Sequence, residues 1–157
     1  MPKRYWLFKS EPGAYSFDDL IRDGETEWDG VRNFQARNFL RDDIQVGDGV
    51  LFYYSNTKPQ AIVGTARVTK KGHPDESSFD PKSGHADSKS SPDNPIWYVV
   101  DIAPSERFRE PLTLEAAKST PGLEKMELTR RGSRLSIQPV SEREWNVIRE
   151  LGKPEPI

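Results

Sequence analysis

The chain has no cysteine, so disulfides, zinc-thiolate sites and thiol chemistry are excluded together and the fold must rest on packing. Histidine is nearly as scarce. The two present, His73 and His85, both fall in a Gly-, Pro- and Ser-rich stretch, which leaves no imidazole base at a rigid element end for nucleophilic catalysis. No Walker glycine loop and no G-x-G-x-x-G follow a strand, so phosphate cradles for nucleotide hydrolysis or dinucleotide redox chemistry are missing. A long hydrophobic run is missing too. The start, MPKRYWLFKSEP, holds too few apolar residues before Lys9 for a signal-peptide core or a bilayer span, and a mature, cytoplasmic chain without membrane contact is expected. Nor is there an excess of positive charge: at a formal net of -2, no broad field gathers duplex nucleic acid, and any such contact must be local.

What is present suits one domain over residues 1–157, long enough to bury a core without staples. Tyr5-Trp6-Leu7-Phe8 reads as a buried first strand ended by Pro12-Gly13. Ser16, with Asp19 three residues on, opens a short helix stopped by Gly24, and Ser141 with Glu144 opens another carrying Trp145, Ile148 and Leu151 at helical spacing. Residues 33–41 also read as helix, with Ala36, Phe39 and Leu40 on one side and Asn33, Arg37 and Arg41 on another. Residues 50–54 and 61–68 form the clearest hairpin, residues 97–102 and 135–137 further strands, and residues 113–118 a short helix. Residues 72–95 are a long loop, expected to act as a flap. Strands that do not alternate regularly with helices predict an α+β domain with a strongly bent sheet or small barrel rather than a doubly wound parallel sheet.

Chemistry is concentrated where aromatics stand beside short polar groups: Lys9-Ser10, Trp28-Asp29-Gly30, Asn33, Tyr53-Tyr54-Ser55-Asn56, Phe79 and Trp97. An aromatic face restores the stacking that an unstacked base loses, and Ser, Asn and backbone groups read its edge. Trp28 is expected to stand apart from the core, since Glu27, Asp29 and Gly30 offer it no apolar neighbours. Phosphates flanking the base would fall to Arg32 and Arg37, and more cleanly to Arg130, Arg131 and Arg134. His73, Asp75, Glu76 and Asp80 match no recognised ligand spacing, and neither a metal nor a cofactor is expected.

Four blocks resemble the EVE domain family: residues 6–12 (WLFKSEP), 28–40 (WDGVRNFQARNFL), 52–56 (FYYSN) and 134–139 (RLSIQP). The resemblance implies a PUA-like fold, a small barrel with flanking helices related to the YTH domains that hold a methylated adenine in an aromatic cage. It also implies recognition of a modified base, notably a modified cytosine in DNA, without catalysis. By similarity Lys9 and Ser10 would line the pocket beside Trp28, with Val31, Asn33, Ser55 and Asn56 around the rim and Phe79 added by the flap; the aromatic and polar pattern adds Gly30, Tyr54 and Trp97. Tyr54 departs from the histidine common in relatives, and Gly84-His85-Ala86-Asp87 from a tyrosine-bearing flap. The expected ligand is thus one base of single-stranded or flipped-out DNA, with RNA as the near alternative. A free nucleobase or anionic metabolite in the same pocket is the outsider.

Overall fold

The aromatic run near the start forms strand β1, Tyr5–Ser10, and both of its faces are covered: Trp6 and Phe8 enter one apolar cluster, Leu7 another. In the computed structural model, which describes residues 3–157, β1 lies inside a seven-stranded sheet. It is followed by helix α1 (Phe17–Asp23), the two-residue strand β2 (Thr26–Glu27), helix α2 (Phe34–Asn38) and strands β3 (Gly49–Tyr54), β4 (Ala61–Pro74) and β5 (Tyr98–Thr113). Helix α3 (Leu114–Lys118), strand β6 (Ile137–Val140), helix α4 (Glu142–Gly152) and strand β7 (Pro154–Pro156) complete the chain.

The sheet runs β2-β5-β4-β3-β1-β6, with β7 pairing to β5 as well. Among the described residues only β1 and β3 are parallel, Tyr5 opposite Gly49 through Ser10 opposite Tyr54, and the other ladders are antiparallel. Bulges break the β4–β5 register in four places, and each bulge bends its strand and adds twist, which curls the long hairpin. The α1 and α2 side of the sheet carries Trp6, Phe8, Val50, Phe52 and Ile102 under Phe17, Leu20 and Ala36. The other side carries Leu7, Leu51, Ile62 and Phe108 under Ala117, Trp145 and Ile148. The arrangement is the mixed α+β fold expected from the sequence.

Local chemistry explains the helices. Ser16 and Ser141 both close reciprocal capping boxes, with Asp19 and Glu144 respectively, and Gly24 ends α1 in the left-handed conformation. The 33–41 helix is shorter than expected: α2 ends at Asn38 and a π-helical turn, Phe39–Asp43, follows. The 97–102 strand is longer, reaching Thr113, because β4, β2 and β7 all pair with it. The strand expected over 135–137 begins only at Ile137. His73 and Pro74 belong to β4 rather than to the loop that follows.

Gly64 on β4 permits a close approach across the first face. A Cβ there would fall 2.5 Å from the Glu106 carbonyl oxygen and 2.6 Å from the Phe17 ring. Neither neighbour is a free side-chain end, since one is backbone and the other is a fully buried ring. Gly64→Ala is therefore expected to destabilise the fold by about 1–3 kcal/mol through overpacking. Urea denaturation measures it; an unchanged midpoint would mean that β4 and α1 can slide apart at no cost.

Candidate functional site

Beyond the end of β1, where the β2 segment turns away from β5, a cleft of about 470 Å³ opens. Lys9 and Ser10 from β1, Tyr15 from the turn before α1, and Trp28, Gly30 and Val31 after β2 form its walls, and His85 and Ser136 reach it from two loops. The main chain is fixed on both sides: the Trp28 N–H donates to the Val100 carbonyl at 2.9 Å, and the Ser10 hydroxyl donates to the Tyr15 carbonyl at 2.6 Å. Gly30 sits at φ 79°, and a Cβ on it would lie 3.0–3.2 Å from three atoms of the His85 ring. The imidazole is thus laid against Gly30, and only glycine allows both the turn and the contact.

The loop carrying His85 is held down by one carboxylate. Asp75, 1% exposed, accepts from the Gly30 N–H at 3.0 Å, from Arg32 Nη1 at 3.0 Å, and from the Ser77 N–H at 2.9 Å and hydroxyl at 2.5 Å. Arg32 then spans the gap to the loop, donating to the His85 carbonyl from Nε at 3.0 Å and Nη2 at 2.5 Å. Burial opposes ionisation of Asp75 more than any one contact favours it. Together the Ser77, Gly30 and Arg32 hydrogen bonds and the Arg32 charge prevail, holding the carboxyl below its ordinary range. On the opposite wall, burial pushes the Tyr15 phenol up, and its bond to Asp23 at 2.8 Å adds to this, so it stays a protonated donor.

Of the residues singled out from sequence, the fold brings Lys9, Ser10, Trp28, Gly30, Val31 and Arg32 to this cleft. The others have different work. Asn33 caps α2 by accepting from the Ala36 N–H at 2.9 Å. The Tyr54 hydroxyl accepts from the Phe17 N–H at 2.8 Å, the Ser55 N–H donates to the Ser10 carbonyl, and Asn56 donates to Glu11 at 3.1 Å. Trp97 stacks on Phe34 and donates its indole N–H to Asp87 at 2.7 Å, while Phe79 closes the 3-10 turn Glu76–Ser78. Arg32 is taken up by Asp75 and the loop, and Arg37 by the Ile96 carbonyl at 2.7 Å, which corrects their expected availability to phosphates. Arg130, Arg131 and Arg134 lie around two adjoining clefts instead.

Trp28 is also corrected. Its indole is only 8% exposed and packs at 5.4 Å from Phe8 and 5.5 Å from Phe52, because β1 and β3 supply the apolar neighbours that its own segment lacks. Tyr15 and His85 were missed as cleft residues. Both are rings set among small or polar neighbours, Gly13-Ala14 and Gly84-Ala86, which is the signal that marked Trp28. His73 and the acids that follow it in sequence do not gather: His73 pairs with Asp101 at 2.8 Å, near Glu27, while Asp75 faces Gly30.

The EVE domain model matches residues 4–151. Human thymocyte nuclear protein 1 is 37% identical, over 97% of this chain and 75% of its own length. An uncharacterized protein of Schizosaccharomyces pombe is 40% identical, over 98% of this chain and 71% of its own. Among solved structures, a Pseudomonas putida protein is similar at a TM-score of 0.90 and 45% identity, over 94% of this chain and 98% of that one. A structure of the human THYN1 protein in complex with DNA containing 5-methylcytosine is similar at 0.89 and 36%, over 98% and 100%. Among the described residues no helix is long and apolar enough to cross a membrane.

Two outcomes follow from the geometry. Trp28→Ala should cost about 3–5 kcal/mol of stability, as removal of a packed core indole does; a melting temperature equal to the parent's would return Trp28 to the surface role its sequence suggested. The Asp75 contacts should be pH-dependent. A carboxyl whose folded pKa is depressed adds stability that is present above its unfolded value, about 3.9, and lost as pH falls through the folded one. Hydrogen exchange over residues 75–95, corrected for its intrinsic pH dependence, should stay slow from neutrality to about pH 4 and accelerate below it. Asp75→Asn should show the fast exchange already at pH 7, and parent-like protection in that variant would remove Asp75 from this role.

Proposed function

Because the chain belongs to the EVE domain family, we propose that it binds DNA and holds one unstacked base, a modified cytosine, in the Trp28 cleft without chemical turnover. The observation that carries this reading is the composition of the cleft. Its volume, about 470 Å³, lies in the range of small-ligand sites, and the Tyr15, Trp28 and His85 rings stand beside Lys9, Asp29 and Ser10, whose hydroxyl oxygen is still able to accept. Flat π-faces set beside short donors and acceptors suit a heterocycle that must be stacked and read along one edge. The human relative's complex with 5-methylcytosine-containing DNA supports the choice of DNA over RNA and of cytosine among bases.

The absence of turnover rests on where the histidines go. His73 is committed to Asp101, and His85 lies against Gly30. Neither is paired with a nucleophile in the way that acyl or phosphoryl transfer requires. The cytoplasmic location expected from sequence gains no support from the comparisons, since the relatives' name points to a nucleus.

His85 offers the direct test, being exposed and carried by a loop rather than by the core. Short single-stranded oligonucleotides that differ only in one cytosine or 5-methylcytosine should bind with different affinity. His85→Ala should weaken the methylated one by about 1–2 kcal/mol, within the range for loss of a stacking face, with an unchanged melting temperature. Equal affinity for the two oligonucleotides in the parent, or for the variant and the parent, would remove the cleft as a base reader.

A further inference from the structure

Lys9 has no anion of its own. Its ammonium lies 6.0 Å from the Tyr53 ring centre, and among the described residues no carboxylate pairs with it. Burial lowers its pKa against the more distant pull of Glu127, so the charge is partly desolvated without a counter-charge in contact. A cation held in this state gains from an incoming anion what it has lost from water.

The side chain also belongs to two openings at once. It lines the Trp28 cleft, and it lines a second groove of about 540 Å³ on the Tyr53 side of β1. The charged residues of that groove are Lys9, Lys118, Arg130 and Arg131, with no acid among its walls. Arg130 shares its charge with Glu127 at 3.1 Å; Lys118 and Arg131 are exposed and make no ion pair among the described residues. Four cations on one groove of a chain whose net charge is -2 is a strong local asymmetry. The loop that forms the wall is continuous with the cleft, since Ser133 lines the groove and Ser136 the cleft. Within that wall the Ser133 hydroxyl is buried and has no hydrogen-bond partner.

We propose that this groove is the track for the phosphodiester chain on one side of the bound base, with Lys9 on the phosphate at the junction and Lys118 and Arg131 on those that follow. The inference rests on the base-binding reading of the cleft and adds to it the path that the strand takes away from the bound base. It also assigns Lys9 to the backbone rather than to the base edge. Phosphate contacts of this kind position a ligand without reading it, so they leave the choice of base to the cleft.

The test measures affinity against salt for three probes: a single-stranded decamer with one 5-methylcytosine, the same decamer with cytosine, and the nucleoside 5-methyl-2′-deoxycytidine. Each neutralised phosphate on a single strand contributes about -0.7 to the slope of log affinity on log salt, so three contacts predict a slope of about -2. Lys118→Gln with Arg131→Gln should reduce that slope by about 1.4, and Lys9→Gln alone by about 0.7. The double variant should weaken both decamers by the same factor and leave nucleoside binding unchanged, with the preference for methylated cytosine intact. A slope that the double variant does not change, with the preference intact, overturns the track and leaves the cleft reading standing. A slope that falls as expected in a parent with no preference between the decamers supports the track and overturns the cleft reading. No decamer binding by the parent at low salt overturns both.

Discussion

The arrangement of the cleft depends on a buried negative charge. Asp75 stands at the end of β4, inside the structure, where an unpaired carboxylate would cost several kcal/mol, and it is tolerated because four donors from three residues converge on it. Those donors belong to segments that otherwise share little: the turn at Gly30, the guanidinium of Arg32 and the start of the long loop at Ser77. One carboxylate thus fixes the turn after β2 and the loop carrying His85 against each other. It also explains why Arg32, in a block that looks basic and exposed in sequence, has its charge directed inward.

The sheet decides where the opening can be. Because β1 runs between β3 and β6 with apolar clusters on both faces, Trp6, Leu7 and Phe8 are fully buried. Lys9 and Ser10 follow where β6 no longer pairs, and both line the cleft, Lys9 lining the second groove as well. β2, at the other edge of the path, ends after two residues and releases Trp28 to Gly30 toward the same region. Both strands stop where the backbone must offer groups other than ladder hydrogen bonds.

Features stated by neighbouring residues were legible in the sequence. The two capping boxes, the Gly24 stop and the hairpin of β3 and β4 follow from contacts a few residues apart, and the sequence pattern shows them directly. β2 and β7 were not legible, because two or three residues have no period, and their extended form comes from pairing with β5. The same division holds at the cleft. Lys9-Ser10 and Trp28 to Arg32 are contiguous and line the cleft, whereas the fold uses Asn33 in a cap, Tyr54 in a strand-helix bond, the Phe79 main chain in a turn and Trp97 in a stacked pair. Nothing local distinguishes a polar group that will be used internally from one left free for a ligand. The burial of Trp28 was hidden for the same reason, its neighbours Phe8 and Phe52 being distant in sequence.

That double membership of Trp28, in the apolar cluster and in the cleft wall, bears on how such a site can diverge. A residue that only lines a pocket is free to change with the ligand, but a replacement for this indole must also fill the space between Phe8 and Phe52. Tyr15 and His85 carry no such obligation to the same degree, one being half-buried and the other exposed. Drift toward new ligands is therefore channelled to these two facing positions while the indole between Phe8 and Phe52 stays fixed, and paralogues that differ in what they bind should differ there first.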